Sequence, residues 1–446
     1  LLKYYLQTYG CQMNVYESGV VRRVLTDAGL AETVDEQDAD VLLMMTCSVR
    51  SHAEQRALGR LGTFRALRAK RPGRIVGVLG CMAQRFAEAL VTGHRADIVV
   101  GPDEYLRLPE LIANVRAGTT GLVATRLTSE CYEAVTPRRA PGLGGDPHAV
   151  AAPCAFVTVM RGCDNYCSYC IVPYVKGHAR SRQLASVVAE ARRHAADGAK
   201  DITLLGQNVL AYRDGSSRFP DLLAAVASAL PGVRIRFLTS HPRDLDLHLL
   251  EAMQRLANVC PSLHLPVQSG SNQVLATMNR GYTREDYVKK LELCRRMLPE
   301  ASLSTDLLVG FPSETEADFQ ATLDLVEHVR FDTAYMFRFS LRPGTGAEAL
   351  EPKVSETDAG RRLARLIEVQ NRITAERSRG LLNRELELLI EGPSPRDSGW
   401  LGRTANNKVV IFKGRCAPGD FVRCRVARIS GWTPVAELAP RATATC

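Results

Sequence analysis

The chain has 446 residues, 46% of them hydrophobic and 24% charged, and its 57 Lys and Arg against 48 Asp and Glu leave a formal net charge of +9. At roughly 100 to 200 residues per domain this length implies two to four domains with cores of their own, which excludes a chain disordered throughout. No apolar run approaches the roughly 20 residues that span a bilayer, and the start lacks the charge block and small-residue cleavage site of a signal peptide, so a cytoplasmic protein without a membrane partner is expected. The first residue is Leu rather than Met, so a few residues are expected to precede it.

Residues 1–133 alternate strand and helix: YYLQT and a helix from about Val15, VLLMM and a helix from about Ala53, RIVGVLG and a helix from about Gln84. Helices of this length between strands mean parallel pairing, hence an N-terminal open parallel α/β sheet. Cys11, Cys47 and Cys81 each fall where a strand hands over to a helix. In an open parallel sheet all carboxyl ends share one edge, which is where such sheets bind ligands, so these thiols are expected to converge there.

Between Ala134 and Pro153 the chain is dense in Pro and Gly without apolar periodicity, and residues 134–152 are expected to form a linker. Residues 153–379 repeat the strand–helix pattern through FVTVMR, DITLLG, RIRFLTS, SLHLP, STDLLVGF and AYMFRFS. Six such units are fewer than the eight of a closed barrel, so a central partial (β/α)6 barrel is expected, with its active face at the carboxyl edge. In residues 380–446 the short runs LELLI, KVVIF, FVRCRVARI and PVAEL, separated by Gly, Pro and Asn, suggest a small all-β barrel. Twelve Lys and Arg against six Asp and Glu lie between Arg377 and Cys446, as expected of a polyanion-binding end or of a merely solvated basic surface.

Thirteen cysteines, an odd number at irregular spacings, argue against a disulfide framework and direct attention to metal or catalysis. After the first barrel strand comes RGCDNYCSYC, in which Cys163, Cys167 and Cys170 are spaced C-x3-C-x2-C. Three thiolates on a cubane cluster leave one iron open, and an open iron can bind a ligand. Zinc is the rival reading, but a structural zinc site takes four ligands, and His178, the nearest candidate, reads as an ordinary loop residue. Cys131, Cys154, Cys260, Cys294, Cys416, Cys424 and Cys446 lack ligand spacing and read as packing residues.

C-x3-C-x2-C after a first barrel strand is the signature of radical S-adenosylmethionine (SAM) enzymes, and GCDNYCSYCIVPYVKG resembles the methylthiotransferase version of it. YGCQMN, MTCSVR and GCMAQ resemble that family's N-terminal domain, and the terminal barrel resembles the nucleic-acid-binding TRAM module. CQMN with LHLPVQSGS resembles the branch that modifies isopentenylated adenosine in tRNA; threonylcarbamoyladenosine of tRNA and a ribosomal-protein aspartate are the substrates of its relatives. The resemblance implies two 4Fe-4S clusters, one on Cys163, Cys167 and Cys170 and a second on Cys11, Cys47 and Cys81. The first would cleave SAM to a 5′-deoxyadenosyl radical, and the second would supply and carry the sulfur. It implies two SAM per turnover, methylthiolation at C2 of the adenosine at position 37, an electron donor such as flavodoxin, and action as a monomer. General acid–base groups, worth roughly 10²- to 10⁴-fold, do not remove hydrogen from an unactivated aromatic carbon; cofactor radical chemistry does.

Candidate cofactor contacts lie at later strand ends: Gly206, Gln207 and Asn208 toward the methionine end, Gln268 and Ser269 toward the ribose, and Val309 within TDLLVGFPSE toward the adenine. Tyr169 either lies against the cofactor's adenine or packs beneath the loop. Arg180 and Arg182 are candidates to neutralise carboxylate or phosphate. Arg403, Asn406, Asn407, Lys408 and Lys413 are the candidate RNA contacts, which hold phosphates and do not read bases. The sequence departs from the family pattern at Met45, Ser48, His178, Ala179 and Ser313, the last a mild change if its backbone is not left-handed. A non-catalytic RNA-binding protein with structural zinc is the reading from a different class.

Overall fold

The computed structural model describes residues 1–48, 51–94, 96–138, 153–395 and 398–439; residues 139–152 of the expected linker and Cys446 lie outside these. The N-terminal lobe runs β1 (Lys3–Thr8), α1 (Gln12–Asp27), β2 (Ala31–Glu32), β3 (Val41–Thr46), α2 (Ser51–Lys70), β4 (Ile75–Gly80), α3 (Cys81–Thr92), β5 (Ile98–Val100), α4 (Leu108–Arg116) and β6 (Leu122–Ala124). Every residue of β3 and β4 is buried, as an unbroken apolar run must be in a sheet covered on both faces. One face packs Tyr16, Val20 and Leu111 from α1 and α4, the other Leu61, Phe64 and Leu90 from α2 and α3. The strand order is β2-β1-β3-β4-β5-β6, all parallel. The order therefore reverses between β1 and β3, and the crevice at such a switch point is where open α/β sheets take their ligand.

The second lobe runs β7 (Cys154–Thr158), β8 (Met160–Arg161), α5 (Val172–Lys176), β9 (Arg180–Ser181), α6 (Leu184–Ala196), β10 (Asp201–Leu205), the hairpin β11 (Arg213–Asp214) and β12 (Ser217–Arg218), α7 (Phe219–Ala229), β13 (Arg234–Phe237), α8 (Leu247–Arg255), β14 (Ser262–His264), α9 (Asn272–Thr277), α10 (Arg284–Met297), β15 (Ser302–Val309), α11 (Glu316–Val329), β16 (Thr333–Arg338) and α12 (Glu356–Arg379). Strands β7, β10 and β13 pair in parallel, as do β14, β15 and β16, and a parallel bridge between Ile235 and Val259 joins the halves. The result is the expected six-stranded open barrel. Along β15 burial alternates residue by residue, with Leu303, Leu307 and Val309 in the core under the helices.

The last lobe is a closed barrel, β17 (Glu385–Pro393), β18 (Trp400–Arg403), β19 (Val409–Lys413), β20 (Phe421–Ser430) and β21 (Thr433–Leu438), in the order β17-β18-β19-β21-β20. It docks on the amino end of the larger barrel through a buried fork. Arg236 donates to Asp201 at 2.7 Å and to the carbonyls of Thr404 and Ala405 at 2.8 Å each, while Arg234 donates to the Arg403 carbonyl and to Glu387. Arg236→Ala strands the buried Asp201 carboxylate, and breaking a buried pair in this way costs roughly 3–5 kcal/mol. Urea unfolding is expected to show the loss, with the terminal barrel melting apart from the rest. Among the described residues no helix is long and apolar enough to cross a membrane.

Candidate functional site

Cys11 and Cys47 follow β1 and β3 and so flank the switch point, while Cys81 opens α3 directly after β4. Both helices begin at the cysteine itself, a few residues before the apolar periodicity becomes visible. The three strand ends are tied together by side chains: Asn14 donates to the carbonyls of Tyr9 and Thr46 at 2.7 and 2.8 Å, and Thr46 donates to the Leu79 carbonyl at 2.6 Å. A hydrogen bond with Cys47 brings the Cys11 thiol down to about 6, backbone N–H groups at Asn14 and Met13 adding to it. Amides at a helix start favour the thiolate that binds iron. Burial instead pushes Cys81 up to about 11, and the charge of Cys11 reaches it.

The second triad sits on a loop closed at its base by a short antiparallel ladder of β8 and β9, Met160 opposite Ser181 and Arg161 opposite Arg180. Gly162 starts the loop at φ +75°, and a Cβ there would lie 1.9 Å from the His178 carbonyl oxygen. Cys163 N–H donates to Gly177 and Cys170 N–H to Cys167. Asn279 donates to the carbonyls of Asn165 and Tyr166, and Ser168 is bonded to Thr277, Met278 and Ala347. Burial raises the Cys163 thiol and pushes Cys170 up to about 12, with the neighbouring thiols adding to both. Iron binding to thiols displaces their protons.

Arg280, which the sequence reading overlooked, is the fixed cation here. Its guanidinium, 4% exposed, donates to Cys167 Sγ and the Tyr169 hydroxyl at 3.3 Å and to the Pro266 carbonyl at 2.6 Å. Its one local partner is the Tyr282 hydroxyl; Cys167, Tyr169 and Pro266, which tie it to the loop, lie 14 to 113 residues away in sequence. Tyr169 packs with Val274, Met278, Leu308 and Phe311. Gly206 closes β10 against Met160, where a Cβ would lie 2.6 Å from its Cγ. Asn208 is buried and spent on Asp244 and the His241 N–H. Gln268, at φ +79°, bridges to β15 through its backbone, and Ser269 is buried against Thr322 and the Ser271 N–H. Val309 is a core residue at the end of β15.

Three buried polar atoms after the ends of β10 and β13 have no partner among the described residues: Gln207 Oε1, Ser240 Oγ and His241 Nε2. Burial, then Arg280, Arg243 and Lys290, push His241 down to about 2, so it offers a neutral imidazole. Unpaired buried groups cost free energy, and a polar ligand at the barrel's carboxyl edge would satisfy them. That set fits a molecule with amino, carboxylate and hydroxyl groups, as SAM has. Among the described residues no three His, Cys, Asp or Glu side chains converge tightly enough for one metal ion. A cubane presents separate iron vertices and takes thiolates that stand further apart, so its demands and those of a single zinc differ.

The elements that carry the two triads pack against each other. Cys81 packs in one apolar cluster with Ile171 and Val175, and Ile171 is the residue after Cys170. Arg182 and Arg180 are spent on this seam: Arg182 pairs with Glu190 at 2.6 Å and donates to the Tyr16 hydroxyl of α1, and Arg180 pairs with Asp103. His178 pairs with Asp164 across the loop at 2.9 Å, and Ala179 N–H donates to the same carboxylate. Met45 Sδ accepts from Tyr105, and Ser48 is buried. Ser313 sits at φ +65°, a correction to the reading of this change as mild, since a left-handed backbone is where replacing Gly costs most.

In the terminal barrel Arg403 is paired with Glu391 and also bonded to the Asn407 side chain, Lys408 is half-buried, and Asn406 reaches the Glu300 carbonyl. Lys413 donates to Ser398. These groups serve the junction and the barrel's own loops; Arg384, Arg415, Arg423, Arg425 and Arg428 are exposed there, Arg425 pairs with Glu385, and among the described residues Arg415, Arg423 and Arg428 are in no ion pair.

Comparison with known proteins gives the same three-part division. Residues 157–326 match the Radical SAM superfamily, residues 3–101 the Uncharacterized protein family UPF0004, and residues 381–438 the TRAM domain. The fold resembles the radical S-adenosylmethionine methyltransferase TsrM from Kitasatospora setae, at a TM-score of 0.59 and 18% identity over 77% of this chain and 76% of that one. It also resembles the cobalamin-dependent SAM radical enzyme OxsB, at 0.51 and 13% over 78% and 55%. The chain is thus a radical SAM protein with a TRAM domain. The tRNA-2-methylthio-N(6)-dimethylallyladenosine synthase of Bacteroides thetaiotaomicron is 47% identical over 443 residues, 97% of this chain and 95% of its own. That of Porphyromonas gingivalis strain W83 is 44% identical over 446 residues, and that of Chloroherpeton thalassium 43% over 428. The chain belongs to this family of synthases.

Proposed function

We propose that the chain transfers a methylthio group to C2 of N6-dimethylallyladenosine at position 37 of tRNA, with one 4Fe-4S cluster on Cys163, Cys167 and Cys170 and a second on Cys11, Cys47 and Cys81. The observation that supports this reading is the packing of Cys81 in one apolar cluster with Ile171 and Val175, Ile171 being the residue after Cys170. Sulfur supply and hydrogen removal must act on the same carbon, and this packing lets one base reach both. When bound, the cluster at the barrel loop with SAM would supply the carbon radical that the reaction needs.

The chain's own residues do the rest. Arg280 holds Cys167 beside a fixed positive charge, and Gln207, Ser240 and His241 offer polar atoms to the cofactor. Gly206, Gln268, Val309 and Tyr169 shape the same edge. Two SAM are consumed per turnover, one for the methyl group and one for the radical. An electron donor such as flavodoxin reduces the protein, which acts as a monomer in the cytoplasm. Arg415, Arg423 and Arg428 bind tRNA phosphates beside Lys413. Changing these three arginines to Gln is expected to weaken tRNA binding and lower the slope of log affinity against log salt by roughly 0.7 to 0.9 per lost phosphate contact.

The reading is tested by incubating reconstituted protein with tRNA bearing the dimethylallyl group, tRNA bearing threonylcarbamoyladenosine, unmodified tRNA and ribosomal protein, followed by mass spectrometry. Methylthiolation of the first alone is expected. Product on the threonylcarbamoyladenosine tRNA, the unmodified tRNA or the ribosomal protein, with none on the first, would overturn the substrate assignment.

A further inference from the structure

The seam between the first two lobes holds a connected set of buried charges. Glu17 of α1 takes an ion pair from Lys176 at the end of α5, another from Arg161 at 3.1 Å, and a hydrogen bond from the Tyr105 hydroxyl at 2.9 Å. Arg161 also lies 3.5 Å from Asp103, which pairs with Arg180. Lys176, Arg161 and Glu17 are each at most 4% exposed at the side chain. Three cations thus face two carboxylates, and among the described residues Arg161 Nε and Nη1 have no hydrogen-bond partner despite its seat 4.6 Å over the Tyr132 ring. A buried excess charge is costly unless something balances it.

What balances it stands alongside. Val175, the residue before Lys176, lies in one apolar cluster with Cys81 and Ile171, and α5, which ends at Lys176, packs on α3, which opens with Cys81. Three thiolates around a 4Fe-4S core carry net negative charge. We propose that Lys176, a residue of the radical lobe, is the positioning and charge-balancing partner of the N-terminal cluster, so that retention of that cluster depends on a cation supplied across the seam. This rests on the reading that Cys11, Cys47 and Cys81 hold a cluster. Glu17 then acts as a tether that shares Lys176 with the cluster and holds its ammonium in place.

Opposite effects of two substitutions test this. In full-length protein with Cys163, Cys167 and Cys170 changed to Ala, only the N-terminal cluster remains, and its iron loss to a chelator and its reduction potential can be followed alone. Lys176→Met is expected to speed iron loss roughly three- to tenfold, the effect of one partly screened charge, and to lower the potential; Lys176→Arg should restore both. Glu17→Gln leaves the cation without its competing carboxylate and is expected to raise the potential and slow iron loss. A purely structural ion pair would weaken retention in both variants, and that result would overturn the proposal, as would unchanged retention in Lys176→Met. If Lys176→Met fails to fold, judged by thermal unfolding of the iron-free chain, Glu17→Gln alone decides the sign. If the Cys163, Cys167 and Cys170 background itself holds no iron, the reading of the N-terminal triad fails first and takes this inference with it.

Discussion

Changing Cys163, Cys167 and Cys170 together to Ala is expected to abolish 5′-deoxyadenosine formation and to remove about half of the roughly eight irons that two 4Fe-4S clusters bring. The loop's backbone is pinned at the base by the β8–β9 ladder and at the tip by Asn279 and Ser168, so the loss of three sulfurs leaves these backbone contacts intact. It removes the Arg280 bond to Cys167 Sγ, Arg280 keeping Tyr169, Tyr282 and the Pro266 carbonyl. The thermal midpoint of the iron-free chain should therefore change little while cofactor cleavage disappears. Deoxyadenosine formation persisting in the triple variant would show that the radical chemistry belongs elsewhere.

Gly162→Ala should nearly match it with one methyl group. The added carbon would sit 1.9 Å from the His178 carbonyl oxygen and 2.6 Å from that of Gly177, both backbone atoms, in a conformation at φ +75° that side chains disfavour. Neither carbonyl can give way without opening the loop, since Gly177 accepts the Cys163 N–H. A cost of roughly 2–4 kcal/mol is expected, at the upper end for overpacking. It should appear as a lower urea midpoint together with loss of the radical cluster's iron. Gly29→Ala is the control: its φ is +83° with nothing within 4 Å, so only the left-handed cost of about 1–2 kcal/mol applies and both clusters should be retained.

Much of this site could be read before any coordinates, and the residues show why. The continuous apolar runs at Val41–Thr46 and Ile75–Gly80 declare strands buried on both faces, and the cysteines that follow them are placed by topology alone. Shorter strands escaped: Ala31–Glu32, Ile98–Val100, Leu122–Ala124 and Trp400–Arg403 are each two to four residues, too few for a period to show. Long-range electrostatics escaped for a different reason. Arg280, Glu17, Lys176 and His241 acquire meaning only from partners brought in by the fold, and Glu17 meets Lys176 across 159 residues. Arg403 and Lys408 read as RNA contacts from their place on LGRTANNKVVIFKG, whereas in the fold the first is in an ion pair with Glu391 and the second is half-buried.

Iron and acid-labile sulfide counted on anaerobically reconstituted protein, in the wild type and with Cys11, Cys47 and Cys81 changed to Ala, test the two-cluster claim most directly. The account predicts a fall from about eight irons to about four, with deoxyadenosine formation retained and methylthiolated tRNA lost. An unchanged iron count, or methylthiolated tRNA still formed by the variant, would contradict it.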